Sequence, residues 1–259
     1  MKNVPEHIEK GDGDVILFLH GVGGGAYSWM PQLNSFSLKH TAAAWNMPGY
    51  GKSAWNGDMK FPILADALLL LLDERGWERV HLVGHSMGGM VAQEFSVNNQ
   101  DRLLSLTLSA TSPAFGNPDG DFQNKFVDAR LGPLNDGATM ADLAEELVET
   151  MMSPDADPHG RQLAFDCMSE VSTETYRAAI KCIVSFEQRK NLPHIKVPTL
   201  VISGEKDTNA PAPMMEKMST KIPDSRYVCL PGLGHLANLE DPLAFDAALS
   251  DFIRPLSTN

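Results

Sequence analysis

The pentapeptide Gly84-His85-Ser86-Met87-Gly88 lies between a short apolar run, residues 79–84 (RVHLVG), and a segment of helical spacing, residues 87–98. That order, strand then glycine-flanked serine then helix, leaves few folds open. A chain that reverses within one residue of a buried strand must enter a strained backbone conformation, and side chains two positions either side would collide there. Gly84 and Gly88 meet that need, and Gly89 lets the helix approach closely. The turn lifts the Ser86 hydroxyl clear of the sheet, where it can act as a nucleophile.

The same grammar recurs along the chain. Residues 15–20 (VILFLH), 41–46, 103–110, 197–204 and 227–230 are brief apolar runs like 79–84, and near-continuous hydrophobicity suits strands covered on both faces. Helical spacing fills the intervals 26–38, 61–76, 87–98, 213–221 and 242–254. Strand and helix alternate, which predicts an α/β architecture, a doubly wound, mostly parallel sheet. About 14 residues precede the first clear strand, so either that edge is abbreviated or residues 4–8 form a short strand of their own.

From residue 111 to 193 the alternation stops, and amphipathic helices are expected at 123–131, 141–152, 159–170 and 174–189. This reads as a helical cap, residues 113–196, inserted into a core made of 1–112 and 197–259. The Pro/Gly-rich stretch 112–121 (SPAFGNPDGD) is the expected hinge into it, and 191–198 the exit. Phe115, Phe126, Met140, Met151, Met152, Phe165 and Met168 are candidates to line a pocket under the cap, although residues at such spacing also fill ordinary cores. Arg130, Arg161, Arg177, Lys181 and Arg189 are its candidate contacts for a substrate carboxylate, a solvated helix face being their ordinary explanation.

Composition narrows the chemistry. The 33 acidic against 21 basic residues give a net charge of -12, which opposes nucleic-acid phosphates and anionic membrane surfaces, and leaves a small molecule as the expected partner. The 3 cysteines, Cys167, Cys182 and Cys229, are widely spaced and odd in number, which suits a reducing cytoplasm. No apolar leader or long apolar run is present. No H-E-x-x-H or paired C-x-x-C appears, so neither metal nor cofactor is expected. Gly21, Gly23, Gly24 and Gly25 could suggest a phosphate loop, but no Gly-Lys-Ser/Thr closes them. The triplet Gly51-Lys52-Ser53 has Asn46 where a phosphate loop needs its first glycine.

The residues resemble the α/β-hydrolase fold family over nearly the whole chain. Beside GHSMGG stand His20-Gly21, Pro48-Gly49-Tyr50-Gly51-Lys52-Ser53, Gly204-Glu205-Lys206-Asp207 and Gly234-His235. The resemblance implies Ser86 as nucleophile, His235 as general base and Asp207 as the acid that orients the histidine, with Glu205 the nearby competitor. It implies the amides of Val22 and Met87 as donors to the oxyanion. Within the family the chain is similar to 3-oxoadipate enol-lactonases and small carboxylesterases, which implies hydrolysis of a carboxylic ester or lactone through an acyl-serine. C–C hydrolases of meta-cleavage diketones usually carry Asn where this chain has His85, and are the alternative. A non-catalytic ligand receptor on the same fold is a third reading.

Overall fold

The computed structural model describes residues 3–116 and 121–256; residues 117–120 of the expected hinge lie outside the described residues. Seven strands, β1 (His7–Lys10), β2 (Val15–Leu19), β3 (Thr41–Trp45), β4 (Val80–His85), β5 (Leu103–Ser109), β6 (Thr199–Gly204) and β7 (Ser225–Leu230), form one sheet. Their order is β1-β3-β2-β4-β5-β6-β7. All neighbours run parallel except β1, which pairs antiparallel with β3. The N-terminal edge is thus one short strand that starts at His7, three residues beyond the start of the 4–8 segment expected.

Among the described residues ten α-helices accompany the sheet: α1 (Met30–Phe36), α2 (Phe61–Arg75), α3 (Met87–Asn98), α4 (Phe122–Asn135), α5 (Met140–Met151), α6 (Pro158–Ser169), α7 (Thr173–Ile183), α8 (Ala212–Ser219), α9 (Ala237–Glu240) and α10 (Pro242–Ile253). Every residue of β2, β3 and β4 is buried, as two covered faces require. Alternation then sorts the side chains. Leu17, Leu19, Ala43 and Trp45 face the layer that contains Leu64, Leu68, Val91 and Phe95 of α2 and α3. Ile16, Phe18, Ala42 and Ala44 face Leu33, Phe245 and Leu249 of α1 and α10.

Between β5 and β6 the chain leaves the sheet as the inserted helices α4–α7. Helix α5 begins with a capping box in which Thr139 and Asp142 satisfy each other's backbone amides. Helix α7 ends at Ile183, six residues before the limit that periodicity suggests. The entering and leaving chains take over there: Ala114 and Glu187 form an antiparallel bridge, and Gln188 N–H donates to the Pro113 carbonyl at 2.7 Å. The expected helix 26–38 is split into a 3-10 turn, Ala26–Trp29, and α1, because Pro31 lacks an N–H and fits only a first turn.

The parallel strands deliver their C-terminal ends to one edge, where ligands of open α/β sheets bind. At that edge α3 crosses β2 at backbone contact. A Cβ on Gly88 would lie 2.6 Å from the Leu19 carbonyl carbon and 2.7 Å from the His20 carbonyl oxygen. In a free helix Gly→Ala stabilises by about 1 kcal/mol. Gly88→Ala is expected to do the reverse here, costing about 1–3 kcal/mol through overpacking, as read from the urea unfolding midpoint.

Candidate active site

The strand β4 ends at His85, and Ser86 turns the chain with φ 52° and ψ −118° directly into α3. Such a conformation costs a non-glycine residue about 1–3 kcal/mol and persists only where its surroundings fix it. They do so from both sides. Ser86 N–H donates to the Ser109 carbonyl at 2.9 Å, and the Ser86 carbonyl accepts from Gly89 N–H at 3.0 Å and from the Thr111 hydroxyl at 2.7 Å. Between the end of β5 and Thr111 stands a second residue of positive φ, Ala110, with φ 46°. The Ala110 amide is itself held by the Ile202 carbonyl at 3.0 Å.

Ser86, His235 and Asp207, which stand far apart in sequence, meet in one line. His235 Nε2 lies 3.2 Å from Ser86 Oγ, and His235 Nδ1 lies 2.8 Å from Asp207 Oδ2. Asp207 sits past the end of β6, and its other oxygen accepts the amides of Asn209 at 2.8 Å and Ala210 at 2.9 Å. Burial works against the Asp207 charge, but the His235 ring and these amides outweigh it and hold the carboxyl below its ordinary value. Glu205 is engaged elsewhere, accepting the Gly232 amide at 2.8 Å.

Val22 and Met87 both border the cavity beside Ser86. In a trans peptide the carbonyl and the N–H point in opposite directions, so whatever fixes one aims the other. The Gly21 carbonyl, which shares a peptide with Val22 N–H, accepts from His20 Nδ1 at 2.8 Å and from Gly24 N–H at 3.1 Å. The Ser86 carbonyl, which shares a peptide with Met87 N–H, is the one bound by Thr111. His20 Nε2 accepts the Met47 amide at 3.0 Å, so Nδ1 carries the proton; burial pushes this ring down to about 4 and keeps it neutral. Two side chains thus aim the two amides.

His85 has a definite task as well. Its Nε2–H donates to the His235 carbonyl at 2.9 Å, and burial, reinforced by His235, pushes the imidazole down to about 3. A third support was not legible in the sequence. Glu240, at the end of α9, is buried and accepts the amides of Gly234 at 2.9 Å, Leu236 at 3.1 Å and Ser153 at 2.7 Å. The His235 amide also donates to the Met151 carbonyl at the end of α5, at 2.7 Å. The loop that carries His235 is therefore fastened to the cap. The one signal for Glu240 is its place five residues after His235, between apolar Leu239 and Asp241-Pro242.

A cavity of about 410 Å³ lies between the sheet edge and the cap and reaches Ser86 and His235. Of the apolar candidates, Phe115, Phe126, Met151 and Met168 line it. Met140 and Met152 are instead buried in the core, and Phe165 packs against it. A second cavity of about 70 Å³ opens beside the same Ser86 and His235, walled by Trp29, His85 and Asn238. Among the described residues no group of three or more His, Cys, Asp or Glu is placed to hold a metal ion, and no helix is long and apolar enough to cross a membrane.

A sequence model of the alpha/beta hydrolase fold matches residues 14–242, and the chain belongs to that family. Over 251 residues it is 28% identical to RutD of Pseudomonas savastanoi pv. phaseolicola, a protein named for carbamate hydrolysis, covering 93% of this chain and 94% of the relative. Among solved structures, an esterase from Thermogutta terrifontis with malate bound superposes with a TM-score of 0.88 at 26% identity, over 98% of this chain and 94% of that one. The enol-lactonase of Burkholderia xenovorans LB400 shares the fold with a TM-score of 0.86 at 24% identity, over 96% of each chain.

The supports around the site make two predictions. Glu240→Gln presents an NH₂ where amides need an acceptor, at a cost of about 1–3 kcal/mol. A small displacement of His235 should follow, with kcat reduced by up to about 10²-fold and KM little changed in steady-state assays. The second concerns pH. His20, His81 and His85 are held at about 4, 4 and 3 against an ordinary value of 6.5, in each case chiefly by burial. Below pH 6.5 the unfolded chain binds protons that the folded rings refuse, so stability falls as pH drops from about 6.5 towards about 4. His81→Asn should remove about one proton, roughly 1.4 kcal/mol per pH unit, from the slope measured by urea unfolding.

Proposed function

We propose that this α/β hydrolase is a serine hydrolase that cleaves a carboxylic ester or lactone of a small molecule through an acyl-serine intermediate. The observation that carries the reading is the unbroken line from Ser86 Oγ through both nitrogens of His235 to Asp207, at 3.2 Å and 2.8 Å. In it His235 Nε2 takes the hydroxyl proton as Ser86 Oγ attacks the carbonyl carbon. Asp207 accepts a hydrogen bond from Nδ1–H, which fixes the tautomer and stabilises the imidazolium that forms.

The carbonyl oxygen becomes anionic in that step, and the Val22 and Met87 amides receive it. Donors already aimed cost no reorganisation as charge develops, and removing one such donor in acyl-transfer enzymes costs about 10²–10³ in rate. Collapse of the tetrahedral intermediate breaks the C–O bond, and the alkoxide leaves with the proton from His235. A water molecule, deprotonated by the same ring, then attacks the acyl-serine and releases the acid.

The esterase and enol-lactonase likenesses support this class of reaction, and the carbamate hydrolysis for which RutD is named would use the same acyl chemistry. The net charge of -12 and the cavity of about 410 Å³ favour a small-molecule substrate. On short p-nitrophenyl esters, Ser86→Ala should abolish turnover and Asp207→Asn should lower kcat by about 10⁴-fold. Rapid quenching and mass spectrometry should find the acyl group on the Ser86 peptide. Full activity of Ser86→Ala would overturn the proposal. Turnover of vinylogous diketones without ester cleavage would favour the C–C hydrolase, and tight ligand binding without turnover the receptor.

A further inference from the structure

The larger cavity has an uneven charge. Arg130 of α4 is the one Arg, Lys, Asp or Glu among its described lining residues. Its neighbours in the wall are apolar or hydrogen-bonding groups, Phe126, Tyr176 and Asn209 among them. No carboxylate of the described residues lies within ion-pairing distance of Arg130, whereas the other cap arginines are engaged. Arg161 pairs with Glu149 at 2.8 Å and donates to the Ser153 carbonyl, and Arg189 forks onto Glu187. Arg177 donates to Asn135 at 2.6 Å, away from the cavity.

What holds Arg130 is neutral. Its guanidinium lies 5.4 Å from the centre of the Phe126 ring, and Nη2 reaches Asn209 Oδ1 at 3.4 Å. Asn209 belongs to the loop that carries Asp207, and its amide donates to that carboxylate. The cation is thus docked between the cap and the acid loop, facing the same space as Ser86. Its field reaches Tyr176, whose hydroxyl burial raises to about 12 while Arg130 pulls the other way. In a chain of net charge -12, a half-buried cation with no acid of the described residues beside it has donors to spare for an anion.

We propose that the acyl part of the substrate carries a carboxylate, and that Arg130 receives it with its planar fork while the ester or lactone carbonyl lies at Ser86. The substrate class is the half-ester of a dicarboxylic acid, or a lactone bearing a pendant carboxylate. The acyl group occupies the larger cavity because it must stay through both steps, while the smaller space beside Ser86 suits a small leaving group. A bidentate Arg–carboxylate pair is charge-assisted on both bonds and specific in direction, so it contributes orientation as well as affinity.

This inference rests on the serine-hydrolase reading, and the experiment separates the two. Monomethyl succinate, glutarate and adipate are compared with methyl butanoate, pentanoate and hexanoate by acid release in a pH-stat, using the full-length wild-type chain, Arg130→Gln and Arg130→Lys. The wild type should prefer at least one monoanion over its neutral partner by about 10²-fold or more in kcat/KM, chiefly through KM, as expected when a charged pair aids ground and transition states alike. Arg130→Gln should collapse that ratio towards one, and Arg130→Lys should restore part of it. A wild type that cleaves the neutral series as well as the anionic one would overturn the inference and leave the hydrolase reading standing. Equal losses on both series in Arg130→Gln, with the ratio intact, would also overturn it by making Arg130 a purely structural contact. Failure to cleave any ester in either series, together with p-nitrophenyl esters, would remove the underlying reading itself.

Discussion

The site depends on how closely a helix can cross the ends of a sheet. At the junction of β4 and α3 the separation is set by backbone: a Cβ on Gly84 would stand 2.5 Å from the Gly88 carbonyl oxygen and 2.6 Å from Gly89 Cα. Only at that separation can a single residue, Ser86, make the reversal. The strain of its left-handed backbone is then carried by the surrounding hydrogen bonds and the packed layers behind them. Loosening the crossing would let Ser86 relax into an ordinary conformation and swing its hydroxyl away from His235.

The same economy governs the polar groups around it. The Val22 and Met87 amides, which we propose receive the reacting oxygen, each belong to a peptide held from its other end, by His20 in one case and by Thr111 in the other. Neutral rings do this positioning at His20 and His85, where burial keeps the proton count fixed. Two carboxyl side chains, Asp207 and Glu240, stand among these supports, and each accepts backbone amides. Fixed dipoles of this kind hold their direction without solvent rearrangement, which is the condition for electrostatic preorganisation.

Much of this was legible in the residues. Apolar runs of strand length between helical segments gave the sheet and its two covered faces, because burial on both sides leaves an unmistakable composition. The glycines of the elbow announced a close crossing, since no other residue fits one. What stayed hidden depends on distant partners. Thr111 matters only because its hydroxyl reaches the Ser86 carbonyl, and Glu240 only because three amides from two separate segments converge on it. No local pattern records such convergence. The early end of α7 is of the same kind, being set by pairing with residues some seventy positions earlier in the chain. Likewise five cap cations look alike in sequence, and packing alone separates Arg130 from the rest.

Glu240 and the Met151 carbonyl join the end of α5 to the loop that presents His235. Cap and base are thus parts of one mechanical unit on that side. Met151 also lines the cavity beside Ser86, so one residue both walls that space and holds the loop of His235. Under the proposed function, substrate range and proton transfer are coupled along this edge. A lineage adapting α5 to a new acyl group would have to re-seat His235 at the same time, whereas among the described residues no hydrogen bond ties α7 to the His235 loop.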